Sequence, residues 1–112
     1  MLFVGTVRSS EEDGDIEGID YSAYHEMAES ELGRIVDEAR RRWPPARIAV
    51  RHRLGWVKVD EASVAIAVAC PHRADAYAAS RFLIDEIKRS VPIWKRERLN
   101  SGATRWVEPV HA

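Results

Sequence analysis

The sequence contains a single cysteine, Cys70, among its 112 residues. One cysteine excludes an internal disulfide and any metal site that requires several thiolates. The histidines include no pair at the i,i+4 spacing of a helical metal site, and a proline separates Cys70 from His72, which is poor geometry for shared coordination. We therefore expect no metal and no cofactor. Because Cys70 ends an apolar segment, a buried, unreactive thiol is favoured over a nucleophile.

Other signatures are missing as well. The chain has no G-x-S-x-G serine elbow and no G-x-x-x-x-G-K phosphate loop. No apolar run approaches the ~20 residues that a transmembrane helix needs, and the start of the chain lacks the pattern of a secretory signal. There is no internal repeat and no low-complexity segment. These absences predict a cytoplasmic protein with a single domain over residues 1–112.

Charge is plentiful but unevenly distributed. The formal net charge is −1, yet nine carboxylates and no lysine or arginine fall between Ser9 and Gly33. Six cations and three anions fall between Arg81 and Arg98. Such polarity can present a local basic site on a chain that is not basic overall, and it favours a small anionic ligand. An RNA-binding domain that uses Arg40–Arg42 and the basic stretch is a disfavoured alternative, because the acidic segment opposes it.

The hydrophobic pattern predicts an α+β fold with two main helices packed against a mostly antiparallel sheet. The second strand is expected to pair back onto the first. A continuously apolar segment is typical of a central strand buried on both faces, and a polar stretch at residues 9–15 indicates an exposed loop. The expected strands are LFVGTVR (2–8), IEGIDYS (16–22), two pieces of ARIAVRHRLGWVKVD (46–60), the apolar segment ASVAIAVAC (62–70) and TRWVEP (104–109).

Prolines mark the ends of both expected helices. Pro44-Pro45 stops the first, whose terminal Arg40–Arg42 run either complements the helix dipole or forms a functional patch. Pro71 introduces the second, and Pro92 prevents it from continuing beyond Val91. The two helices are YHEMAESELGRIVDEARRRW (24–43) and PHRADAYAASRFLIDEIKRS (71–90).

The stretch IDEIKRSVPIWKRE, residues 84–97, places a lysine on each side of Pro92. Lys88 lies at the edge of an apolar helix face, where a lysine ordinarily extends its ammonium group into water. Alternatively, the bend aims Lys88 and Lys95 into one pocket, with Trp94 shielding the second amine. A partly desolvated amine crowded by other cations has a lowered pKa and can act as a nucleophile or base. The residues alone leave both interpretations open.

Further cations are placed to hold an anion. His72 and Arg73 stand at the expected start of the second helix, where free backbone N–H groups already favour negative charge. Arg8 stands at the end of the first expected strand. The residues therefore predict an anion pocket with one or two reactive lysines.

Several sequence blocks, in this order, resemble the catalytic (large) subunit of molybdopterin synthase. The resemblance extends from Phe3 to Glu108, and its P-H-R-A-x-A-[FY] and [IL]-K-x-x-x-P-[IF]-W-K-[RK]-E blocks are specific in combination. It implies an α/β hammerhead fold, in agreement with the α+β pattern. The blocks are F-V-G-T-V-R, Y-S-A-Y-H-E-M-A, R-H-R-L-G, P-H-R-A-D-A-Y, F-L-I-D-E-I-K-R-S-V-P-I-W-K-R-E and R-W-V-E.

What the resemblance implies is a sulfurtransferase of molybdenum cofactor biosynthesis. Such enzymes convert cyclic pyranopterin monophosphate (precursor Z) into molybdopterin by installing two dithiolene sulfurs. The sulfur arrives as a thiocarboxylate on the C-terminal Gly-Gly of a small ubiquitin-like subunit, whose tail enters a pocket of the large subunit. The large subunits form a homodimer within a heterotetramer, with no nucleic acid and no membrane involved.

The resemblance also implies roles for individual residues. Lys88 and Lys95 match the family's two catalytic lysines, of which the first lies close to the partner's terminal glycine. The pocket can be completed across the dimer, so that basic residues of one subunit serve the lysines of the other. The positions that match substrate-binding residues are Arg8, His72 and Arg73, which hold the anionic end of the pterin, and Phe3 and Ile84, which form pocket walls.

Two departures from the family pattern define an alternative. Family members usually carry a segment before the first strand, whereas this chain begins almost on it. The end of the chain, EPVHA, lacks a further basic residue that some relatives carry. A shortened, non-catalytic paralogue that only binds the ubiquitin-like partner is therefore the alternative to the enzyme.

Overall fold

A computed structural model of the chain describes residues 1–9 and 15–107. Most of the expected loop at residues 9–15 lies outside the described residues, as do the end of the expected last strand and His111. The elements are β1 (Leu2–Thr6), β2 (Ile16–Ala23), α1 (His25–Arg42), β3 (Arg47–His52), β4 (Gly55–Lys58), β5 (Ala62–Ala69), α2 (Arg73–Ser90), β6 (Ile93–Leu99) and β7 (Thr104–Val107).

The strands form two antiparallel sheets. One has the order β1-β5-β3 and the other the order β4-β2-β6-β7. The predicted α+β fold with antiparallel pairing is confirmed. The expected pairing of β2 with β1 is wrong, because β2 lies between β4 and β6 in the second sheet. The two strands also serve different cores: Phe3 packs against the helix-covered core, whereas Ile16 and Tyr21 belong to a smaller one.

Strand β6 was not predicted from the sequence, in which no strand was expected between Pro92 and residue 104. Its residues alternate between half-buried and exposed, but both faces carry charge. Lys95 and Glu97 point to the half-buried side, while Arg96 and Arg98 are exposed. A strand without a predominantly apolar face gives no period-two hydrophobic signal.

Both helices end where the prolines predict. Trp43 caps α1, and the arginine run before it forms local ion pairs: Arg41 and Arg42 with Glu38, and Arg40 with an aspartate one turn earlier. The ion-pairing supports the reading of that run as a solvated helix end. In α2, the Oγ of Ser90 donates a hydrogen bond to the carbonyl of Glu86 at 2.9 Å, and Val91 caps the helix.

The main core lies between the two helices and one face of the β1-β5-β3 sheet. Ile35 of α1, Ile66 of β5 and Leu83 of α2 are almost completely buried there. A second, smaller core consists of Val7, Ile16, Tyr21 and Val57. It joins the end of β1 to the second sheet.

The opposite face of the β1-β5-β3 sheet is exposed in the described part of the chain. We call it the alanine face; it consists of Leu2, Val4, Ala49, Ala65, Ala67 and Ala69, which alternate with the buried side chains of the same strands. The same face also carries Arg47 and Arg51 of β3, opposite Ala69 and Ala65. Leu2 is 66% exposed and Val4 is 45% exposed. The expectation that β5 is buried on both faces is therefore wrong for the single chain, since only the side of Ile66 is covered.

Candidate functional site

Lys88 and Lys95 lie on the two sides of the turn where α2 passes into β6. The helix ends at Ser90 and the strand begins at Ile93, so the chain reverses over two residues, one of which is Pro92. Because proline has no backbone N–H, it cannot extend the helix and it frees the chain to turn. Lys88 is exposed, and Lys95 is half-buried on the inner side of β6.

The environment of Lys95 makes its ammonium form less stable than that of a fully solvated lysine. Burial and the positive charge of Lys88 lower the pKa of Lys95, while the carboxylate of Glu97 raises it. That carboxylate is shared, because the Nε of Arg105 donates to it at 2.9 Å. The influence of Lys88 means that the two amines lie within electrostatic reach of one another. The bend after α2 thus leaves the charge of Lys88 near enough to act on Lys95, and a shared pocket for the two amines stays a prediction.

Tyr21 lies directly opposite Lys95 on the neighbouring strand. Its side chain is only 5% exposed, and burial raises the pKa of Tyr21, while a hydrogen bond with Ser63 lowers it. The Oγ of Ser63 in turn donates to the carbonyl of Gly5 at 3.3 Å. The ring next to Lys95 is thereby fixed to both sheets.

His52, the last residue of β3, joins this group. Its ring meets the Tyr21 ring edge-on, with centroids 5.1 Å apart at 74°. Its Nδ1 lies 2.7 Å from the carbonyl oxygen of Arg53. Burial and the charge of Lys95 lower the pKa of His52, against a smaller upward effect of the Arg53 carbonyl. The sequence analysis did not single out His52 or Tyr21, since their proximity to Lys95 arises only from strand pairing.

A cleft of about 550 Å³ opens beside His52. It lies between the first turns of α1, the end of β3 and the start of β5. Its polar lining includes Arg51, His52, Arg53 and Ser63 on one side and His25 and Glu29 on the other. The cleft offers a solvent path to the imidazole.

His72 and Arg73 lie at the opposite end of α2 from the lysines. His72 caps the helix and Arg73 is its first residue, and both are exposed. Fifteen residues separate Arg73 from Lys88, which corresponds to about 22 Å along the helix axis. Within one chain, the structure does not bring these two basic residues to the lysine pair.

The remaining predicted residues occupy three separate positions. Arg8 is exposed and follows Val7, whose backbone bonds to Asp60 and Glu61 in the turn before β5. Phe3 and Ile84 are half-buried and pack against the main core, with Ile84 one helical turn before Lys88. Cys70 is half-buried beside the same core.

The outer side of the second sheet carries an aromatic surface that we call the tryptophan face. It consists of Trp56, Trp94 and Trp106 together with Arg96 and Arg98. The guanidinium of Arg98 lies 4.3 Å from the centroid of a Trp56 ring, and that of Arg96 lies 5.6 Å from a Trp106 ring. Trp94 and Trp106 also line an open cleft of about 480 Å³. The sequence analysis considered Trp94 only as a shield for Lys95, but the two side chains point to opposite sides of β6.

The described residues contain neither a cluster of metal-binding side chains nor a membrane-spanning helix. Across residues 1–9 and 15–107 no three His, Cys, Asp or Glu side chains are grouped as a metal would require. Neither helix in this part of the chain is long and apolar enough to cross a membrane.

The amino-acid sequence of the chain is similar to those of known proteins. The profile of the MoaE protein family matches residues 1–90. A molybdopterin synthase catalytic subunit from Halalkalibacterium halodurans is 46% identical over 105 residues, which are 94% of this chain and 67% of that protein. The catalytic subunit from Bos taurus is also 46% identical over 105 residues, but this chain spans only 56% of its length.

Solved structures agree with the sequence matches. The crystal structure of molybdopterin synthase from Staphylococcus aureus superimposes with a TM-score of 0.90 at 38% identity, covering 96% of this chain and 78% of that one. A complex of subunits 1 and 2 of the molybdopterin-converting factor from Helicobacter pylori gives a TM-score of 0.81 at 20% identity, covering 99% and 72%. The second likeness concerns the fold alone.

Proposed function

This chain belongs to the MoaE protein family, and we propose that it is the catalytic subunit of a cytoplasmic molybdopterin synthase. In this proposal it transfers sulfur from the C-terminal thiocarboxylate of a small ubiquitin-like carrier to precursor Z, forming the dithiolene of molybdopterin. The observation that supports the proposal is the position of Lys88 and Lys95 on the two sides of the α2–β6 turn, where burial and the charge of Lys88 lower the pKa of Lys95.

The chemistry needs positive charge more than it needs a thiol. The carrier's thiocarboxylate and the substrate's phosphate are both anions, so two amines in one pocket stabilise their encounter and the negative charge that develops during transfer. Sulfur enters on the carrier, which explains why a half-buried Cys70 is compatible with the reaction. We assign contact with the thiocarboxylate to the exposed Lys88, and substrate orientation or acid–base work to Lys95.

The distant basic residues fit a pocket built by two chains. His72 and Arg73 lie about 22 Å along the helix from Lys88, at the end of the β1-β5-β3 sheet where β5 finishes. His52 and Lys95 lie toward the other end of that sheet. If two copies pack through their alanine faces about a two-fold axis that runs across the strands, opposite ends of the sheets meet. We propose that His72 and Arg73 of one copy thereby hold the substrate's phosphate near the other copy's lysines, with Arg8 as a further anion contact and Phe3 and Ile84 as wall residues.

A reconstitution assay tests the enzyme. Thiocarboxylated carrier and precursor Z are mixed with wild type, Lys88→Ala or Lys95→Ala, and molybdopterin is measured. We expect product with wild type and a loss of at least about 100-fold in each variant, since removing one charge-stabilising donor typically has that effect. Lys58→Ala, on the exposed end of β4, is the matched control and should keep full activity.

The same assay separates the enzyme from its alternative. A folded wild-type chain that binds the carrier and yields no molybdopterin would identify a non-catalytic paralogue. Equal activity in the Lys58, Lys88 and Lys95 variants would show instead that the lysine pair is not the reactive site.

A further inference from the structure

We propose that His52 is the general base of the lysine site, taking a proton from the water that hydrolyses a carrier–substrate thioester. The inference rests on the proposed function, because such a thioester forms only when the thiocarboxylate sulfur bonds to the substrate. The oxygen of water bonds to the thioester carbon, and Nε2 of His52 receives one proton. When the C–S bond breaks, its electron pair stays on the sulfur, and Nε2 returns the proton to that thiolate. The carrier leaves as a carboxylic acid that ionises into solvent, so no oxidant or reductant is consumed.

The tautomer of His52 follows from its hydrogen bond. Nδ1 lies 2.7 Å from the carbonyl oxygen of Arg53. A carbonyl oxygen can only accept, so Nδ1 must carry the proton. In the neutral ring Nε2 therefore holds a free lone pair. The edge-on contact with Tyr21, itself hydrogen-bonded to Ser63, fixes the plane of the ring.

While they are charged, Lys88 and Lys95 cannot accept the proton of the attacking water. Ammonium and guanidinium groups only donate, and the carboxylate of Glu97 is engaged by Arg105. The Tyr21 hydroxyl is engaged by Ser63. Lys95 is suited to the complementary task, because its ammonium form can stabilise the oxyanion that appears when water adds to the carbonyl.

The surroundings keep the ring in its basic form near neutral pH. Burial and the charge of Lys95 hold the pKa of His52 below its ordinary value of 6.5. The rate should therefore be lost only as the pH falls through that lowered pKa. The titratable and charged groups that face the ring are Tyr21 from β2, Lys95 from β6, Arg51 and Arg53 beside it in the chain, and His25 and Glu29 across the cleft.

The test compares His52→Ala with His25→Ala, a histidine on the opposite wall of the same cleft. In the reconstituted reaction we expect His52→Ala to lower the rate by about 100-fold or more and to abolish the acidic limb of the pH profile. Added imidazole should restore part of that rate, because a small base can occupy the vacated space. His25→Ala should keep both rate and profile. Carrier binding, measured by calorimetry, should be unchanged in both variants.

His52→Asn provides a second variant if the alanine variant fails to fold. Its amide N–H can replace Nδ1–H at the Arg53 carbonyl but offers no basic nitrogen. A normal rate in either His52 variant, or no response to imidazole, overturns the inference while leaving the proposed function in place. Nitrogen-15 NMR of the wild-type chain needs no substrate: an Nε2–H tautomer would overturn the role of His52 directly. A wild-type chain without synthase activity overturns the proposed function, and this inference with it.

Discussion

At the scale of the single residue, the charged side chain of Lys95 lowers the stability of the folded chain. Burial and the charge of Lys88 disfavour its ammonium form, so folding at neutral pH works against one unfavourable group. Lys95→Met keeps the aliphatic length and removes the charge. We expect it to raise the melting temperature at pH 7 by a few degrees, whereas Lys58→Met on the exposed end of β4 should change little.

The stabilisation expected from Lys95→Met depends on pH, and the sign of that dependence follows from the pKa of Lys95. The folded-state pKa of Lys95 lies below the ordinary 10.5, so between the two values the unfolded chain binds more protons and stability rises with pH. Below the folded-state pKa the full cost is present. The advantage of Lys95→Met should therefore shrink as the pH approaches 10.5, as thermal unfolding at several pH values would reveal. A variant that melts at or below the wild-type temperature at pH 7 would contradict a costly Lys95.

At the scale of the element, Gly18 holds a close contact in the second sheet. A Cβ built there would lie 2.7 Å from the Trp56 ring and would also press on the carbonyl oxygen of Val57. Gly18→Ala should therefore destabilise the chain by roughly 1–3 kcal/mol and displace the ring that Arg98 covers. Gly33→Ala is the matched control, since Gly33 lies in α1 with nothing within 4 Å of a new Cβ.

Urea unfolding monitored by tryptophan fluorescence measures both glycine variants. The control should gain up to about 1 kcal/mol, the usual helical advantage of alanine over glycine. Equal stability of Gly18→Ala and wild type would mean that both the Trp56 ring and the Val57 carbonyl shift at no cost.

Elements whose signals are local were predictable from the sequence, and those defined by pairing were not. Pro92 marked the end of α2 because its effect acts within its own turn. The pairing of β2 with β6 joins residues 70 or more positions apart, and nothing in the sequence of either strand indicates its partner. Strand β6 was not predicted for a further reason. Its four consecutive charged residues, Lys95, Arg96, Glu97 and Arg98, occupy both faces, so hydrophobic and polar residues do not alternate along it.

The residues of the candidate site also fall into those that were predictable from the sequence and those that were not. The influence of Lys88 on Lys95 was predictable because only six residues, one of them proline, lie between them. His52 reaches Lys95 only through Tyr21, which requires both sheets to be assembled. For His72 and Arg73, helix length alone places them far from Lys88 in one chain, so a second copy is needed to satisfy the roles that the family resemblance implies.

At the scale of the whole molecule, the proposed assembly of two copies depends on the alanine face. A charged side chain at its centre should prevent two copies from packing, because an unpaired cation would be buried. We therefore expect Ala67→Arg to yield monomers in light scattering and to lose synthase activity. Ala78→Arg, at an exposed position of α2, should preserve both properties. A dimeric and active Ala67→Arg would place the interface elsewhere.

A pocket built by two copies, as proposed, would also make activity depend on the concentration of the chain. A site whose lysines come from one chain and whose phosphate contacts come from another exists only while the chains are together. Its activity per chain would then fall on dilution even though every chain remains folded. The amount of this protein in a cell, and not only its sequence, would decide how many complete pockets are available.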